Sequence, residues 1–162
     1  MQEEDRAIAL AQTVLRQGEM RLQAQLQVAI GADQRAMTMG AVFIAGAAAC
    51  LGFASDADIP GLTGALVAAA QLLVGAGLAI GAAWPTAFRL VGSRPNLWWT
   101  DDVKTKPLAA ALEKESNNYA KYIATNDDAL DTAANWLMWG AVVGASAPVV
   151  GALAWAVVAL AV

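Results

Sequence analysis

The chain has no histidine and a single cysteine, Cys50. The first absence removes imidazole bases and histidine metal ligands, and with them any Ser-His-Asp triad. The second removes an internal disulfide and a cysteine-rich zinc site. Charge is scarce too. Charged residues make up 15% of the chain and hydrophobic residues 58%, against about 25% and about 45–50% in ordinary globular chains. That balance excludes disorder, which needs low hydrophobicity and high net charge. A net charge of −4 with no dense basic run points away from nucleic acid. Neither a P-loop nor a dinucleotide-binding fingerprint occurs. The acidic groups Asp101-Asp102, Glu113 with Glu115, and Asp127-Asp128 with Asp131 sit among lysines or at cap positions, where solvated helix faces explain them. The expectation is a protein that is not an enzyme and holds no cofactor or metal.

The charges that do occur are unevenly placed. All ten Lys and Arg fall in two blocks, Arg6 to Arg35 and Arg89 to Lys121. Three stretches carry none of either sign: Ala36 to Ser55, Ile59 to Phe88 and Thr132 to Val162. Each exceeds the roughly 18–20 apolar residues that cross a bilayer as a helix. A soluble helix would interrupt such runs with polar residues at every turn. The sequence therefore predicts three transmembrane helices, near Met37–Ala54, Gly61–Trp84 and Leu137–Leu160. The loop between the first two holds Asp56 and Asp58 but no basic residue. The positive-inside rule then places both basic blocks in the cytoplasm and the C-terminus near the outer face. Trp84, Trp136, Trp139 and Trp155 fall at the expected span ends, as interfacial tryptophans do.

Residues 3–35 read as an amphipathic helix. Ile8, Leu15, Leu22 and Ala29 recur every seven residues, with Ala11 and Gly18 between them, and Leu26 and Ile30 shift the stripe. No proline separates this helix from the first span, so one helix of about fifty residues is expected. Pro85, Gly92, Pro95 and Pro107 mark residues 85–107 as irregular. Leu108 to Asn135 reads as helix again, striped by Leu108, Leu112, Tyr119, Tyr122 with Ile123, Leu130 and Ala134. Thr125-Asn126-Asp127-Asp128 resembles a capping box, which allows a break and restart near Asn126. The predicted fold is an all-α integral membrane protein. A cytoplasmic amphipathic helix (1–35) leads into a two-span hairpin (36–84). A cytoplasmic Trp/Pro loop and helix (85–135) leads into the third span (136–162). The cytoplasmic helices form a stalk continuous with spans one and three. Two parallel helices with narrow stripes make a thin core, so a homo-oligomer in the lipid bilayer is expected.

A few residues stand out as functional candidates. Gly77 with Gly81 and Gly140 with Gly144 form GxxxG pairs, and Ala45/Ala49, Gly64/Ala68 and Ala147/Gly151 add further small pairs. Small side chains let helices approach closely in lipid. They serve either packing within the chain or a subunit interface. Thr63, Gln71 and Ser146 are among the few polar groups inside the spans. Gln71, near mid-span, either bonds across helices or lines a pore. Pro148 is a tolerated kink or a hinge. No intramembrane charge is present, which argues against an ion-coupled transporter. Asp33 and Arg35 mark the junction with the first span. Arg94 and the pair Trp98-Trp99 belong to a segment that docks on the stalk, lies in the headgroup layer or meets a cytoplasmic protein partner.

The amphipathic helix running through Asp33-Gln34-Arg35-Ala36 into a two-span hairpin, then a cytoplasmic helix, resembles small bacterial membrane effectors of antiphage defence, the SLATT-type and Pycsar transmembrane proteins. The resemblance covers about residues 10–125 and rests on architecture. The third span departs from the two-span pattern, and no nucleotide-binding domain accompanies it. The resemblance implies a bacterial inner-membrane location, oligomerisation and membrane permeabilisation. Three readings follow: a self-assembling effector or channel, a non-conducting adaptor that docks a cytoplasmic partner, or a phage holin.

Overall fold

The computed structural model describes residues 2–84, 88–92 and 107–161. These form three helices: α1 (Gln2–Ala54), α2 (Ile59–Ala82) and α3 (Leu108–Ala161). No strand occurs among the described residues. All three helices are long and apolar enough to cross a membrane. Arg94, Trp98 and Trp99 lie outside the described residues.

The helix limits follow from local chemistry. α1 carries no proline, so nothing interrupts its hydrogen-bond ladder. The turn after it ends at Asp58, whose carboxylate accepts from the Gly61 amide at 3.0 Å. This is an N-cap, and Pro60 in the first turn loses no bond there. α2 closes with Ala83 N–H donating to the Ile80 carbonyl and Trp84 N–H to that of Gly81, short of the predicted end at Trp84. α3 starts after Pro107 and runs through Pro148. The expected break near Asn126 does not occur. Thr125 caps nothing: its hydroxyl bonds the Lys121 carbonyl one turn back. Asn126 is buried and turned away from the backbone ahead of it.

The chain divides into two compact units. One comprises residues 1–30 and 86–130, the other residues 31–85 and 131–162. In the first, α1 and α3 run parallel. Gly18 faces the Tyr119 ring and Gln25 faces Asn126, 101 residues further along. Its buried residues are Leu22, Gln25, Leu112, Glu115, Tyr119 and Asn126. Leu22 sits at the centre of the heptad stripe read from the sequence, with Ile8, Leu15 and Ala29 half-buried along it.

The second unit is built differently. Every fully buried residue described in it is alanine or glycine. Ala36, Gly40, Ala47 and Ala54 come from α1, and Gly64, Ala68, Gly75 and Ala79 are among those from α2. Gly140, Gly144, Ala147 and Gly151 come from α3. Large apolar side chains point outward instead, with Phe53 79% and Leu160 90% exposed. Small residues inside and large apolar residues outside is the arrangement of helices packed in lipid. In water so much exposed apolar surface would demand a partner.

Candidate functional site

In the first unit the most elaborate construction is a buried amide cluster. Gln25 on α1 donates through Nε2 to the Ile123 carbonyl at 3.0 Å and to Asp127 Oδ1 at 2.6 Å. Its Oε1 accepts from Asn126 Nδ2 at 3.3 Å. Asn126 also reads the backbone of Arg89: its Nδ2 donates to the Arg89 carbonyl and its Oδ1 accepts from the Arg89 N–H, both at 2.9 Å. One side-chain amide thus pairs with both polar groups of one residue, as a neighbouring strand would. Asn126 is 0% exposed, and every buried side-chain N or O described has a partner. The cluster is therefore satisfied, the condition under which buried polar groups specify structure.

A second bond fixes the same segment three residues on. Tyr119 Oη accepts from the Gly92 N–H at 3.2 Å. Gly92 adopts φ +95°, which a side chain disfavours, so glycine is needed where the backbone turns onto the phenol. Burial pushes the Tyr119 hydroxyl above the usual tyrosine range. The Gly92 bond opposes this, and the Glu115 and Glu19 carboxylates add to it. Tyr119 also lies against Tyr122, ring centres 6.4 Å apart. Arg21 and Asp127 approach to 3.9 Å at the surface, a contact worth little in water.

The sequence reading missed Gln25, Asn126 and the Arg89–Gly92 contact. The signal was available. Position 25 lies seven residues after Gly18, and position 126 seven after Tyr119, so both are heptad core positions occupied by amides. A polar residue at such a position fixes register and partner geometry.

In the second unit Gln71 on α2 donates to Ser146 Oγ at 2.7 Å and to the Val143 carbonyl at 3.0 Å. Ser146 bonds the same carbonyl at 2.9 Å. Thr63 bonds only its own helix, at the Ile59 carbonyl. The glycine contacts shift the expected register on α2. A Cβ on Gly77 would meet nothing within 4 Å, and one on Gly81 would make ordinary contact with Trp136 at 3.7 Å. The close approach belongs to Gly75 and Gly64. A Cβ on Gly75 would lie 2.9 Å from Gly144 Cα, and one on Gly64 2.8 Å from the Gly151 carbonyl. Of the two roles expected for Gly77, packing within the chain does not occur, because the helical repeat from Gly64 through Ala68 to Gly75 and Ala79 turns it outward, away from α3. Gly140 and Gly144 do pack, Gly140 against Ala79 and Gly75, Gly144 under the Phe43 ring. Pro148 is exposed within an unbroken helix, and Asp33 and Arg35 are exposed on α1.

Beside these contacts lies a groove of about 440 Å³ lined by Leu78, Thr132, Asn135, Trp136, Trp139 and Val143. No cluster of acids or thiols suited to a metal occurs among the described residues. No protein-family profile, curated protein or solved structure matches the chain.

Proposed function

We propose that this chain is a bacterial inner-membrane protein that assembles with copies of itself and acts by perturbing the membrane. In this reading residues 31–85 and 131–162 cross the bilayer, and the amide-clamped unit lies on the cytoplasmic side with the basic residues. One observation carries self-assembly. Ala41, Ala45, Ala48, Ala49 and Gly52 form an outward stripe of small residues on α1, and a Cβ on Gly52 would meet nothing within 4 Å. The glycines of α3 are consumed inside the chain, whereas this stripe remains open to a second helix. The resemblance to antiphage effectors adds membrane permeabilisation as the output.

The test is cysteine cross-linking in membranes. Ala45→Cys in a Cys50→Ser background should give a ladder of covalent multimers under oxidation, and adding Ala49→Leu should abolish it. Induced expression should then dissipate the membrane potential, read with a potential-sensitive dye. Assembly without depolarisation under any trigger removes the effector reading.

A second reading, the non-conducting adaptor, is favoured by Gln71. Its amide is turned onto Ser146 and Val143 rather than outward to line an oligomer axis. Purification in mild detergent distinguishes the two, since a pure homo-oligomer defeats the adaptor. A holin would release a co-expressed muralytic enzyme, and failure to do so removes that third reading.

A further inference from the structure

The groove between α2 and α3 is graded in polarity along its length. Thr132 and Asn135 line one end, and Leu78, Trp139 and Val143 the other, with Trp136 between. Thr132 is also the first residue of the long uncharged run that follows Asp131. The change from polar to apolar therefore coincides with the point where α3 would leave water, on the membrane reading proposed above. From Thr132 to Val143 the helix rises about 16 Å at 1.5 Å per residue. That keeps the groove inside one leaflet, about 20 Å deep with its headgroups. Trp136 and Trp139 are about half exposed, so the groove opens to whatever surrounds the helices.

We propose that this groove holds one phospholipid of the cytoplasmic leaflet, its glycerol and headgroup against Thr132 and Asn135 and its upper acyl carbons between Leu78, Trp139 and Val143. The lining contains no basic residue, and the acid nearest in sequence, Asp131, is exposed one turn from Asn135 on the same face of α3. A headgroup with net negative charge would meet that carboxylate unfavourably. An ammonium-bearing neutral headgroup, as in phosphatidylethanolamine, complements it. The indole rings suit this depth, having an apolar body and an N–H for the ester region.

The experiment uses the full chain in liposomes of phosphatidylethanolamine and phosphatidylglycerol. Each lipid is supplied in turn with a photoactivatable group in its upper acyl chain, and labelled residues are mapped by mass spectrometry. Label from the ethanolamine lipid should concentrate on the groove residues, and Val143→Trp or Leu78→Trp, which fill the groove, should reduce it several-fold. Asn135→Leu should weaken it with less effect. Three results overturn the proposal: label spread evenly over the outward faces, label unchanged in both filling variants, or equal labelling by the glycerol lipid. Flotation of the liposomes separates the two levels of inference. Protein that fails to float overturns the membrane reading and this site with it, whereas floating protein with an unlabelled groove overturns this site alone.

Discussion

Along its length α3 is joined to its neighbours in two ways. In the first unit α1 and α3 are held by Leu22, Tyr119 and two buried amides. In the second unit α2 and α3 meet backbone against backbone, Gly75 at Gly144 and Gly64 at Gly151, and the buried residues are glycine and alanine alone. The difference follows from what competes for each contact. In water, burying a leucine is favourable by about 2 kcal/mol and an amide must be matched. In lipid, a leucine gains nothing by leaving the bilayer, so close approach and dispersion decide. The interior of the first unit thus has the composition expected of helices packed in water, and that of the second the composition expected in lipid.

That contrast is sharpest where backbone atoms would have to move. Gly75→Leu should destabilise the second unit by about 3 kcal/mol or more, because the added side chain meets Gly144 backbone. The check is thermal unfolding in detergent, or a steric-trap measurement in bicelles. Asn126→Leu should cost about 2–3 kcal/mol in the first unit, since it orphans the Arg89 N–H and carbonyl. Amide hydrogen exchange at Arg89 reads it directly. If this leucine stabilised the unit, amide matching there would be incidental.

Smaller effects refine the comparison. Tyr119→Phe should cost about 1 kcal/mol, one hydrogen bond to Gly92. It should also change the alkaline limb. The folded chain holds the Tyr119 proton more tightly than the unfolded one, whose tyrosine titrates near 10.0. Stability should therefore fall as pH rises past that value, and the phenylalanine variant should lose this component. Denaturant melts between pH 8 and 11 (about the usable range for tyrosine ionisation) test it. Gln71→Leu should cost about 1 kcal/mol, the usual worth of an interhelical bond in lipid. Gly77→Leu, six residues further along on the open face, should change stability by less than about 0.5 kcal/mol. A large effect there would mean that this face packs against another molecule.

Much of the fold is legible from hydropathy and proline placement. Each of the three uncharged runs supplies the apolar part of one helix, α1, α2 or α3, and the heptad through Ile8, Leu15 and Leu22 marks the buried face. What escapes is whatever depends on the rotational setting of one helix against another. Gly77-xxx-Gly81 and Gly64 with Gly75 are equally good small-residue patterns in one dimension, and only the azimuth of α2 decides between them. Asn126 was hidden for another reason. Its neighbours Thr125, Asp127 and Asp128 form a local cap pattern, and the long-range amide partners at Gln25 and Arg89 outweigh that local preference.

The 101-residue separation between Gln25 and Asn126 also sets an order of events. The contacts of Gly40 with Ile80 and Gly46 with Leu72 close a short antiparallel hairpin, available as soon as α2 has been synthesised. The parallel pairing waits for far more chain and carries a larger closure entropy. For that interval the Leu22 face of α1 and the glycine face of α2 have no partner in their own chain. Lengthening the chain between α2 and α3 would prolong that exposure, and the risk of aggregation with it.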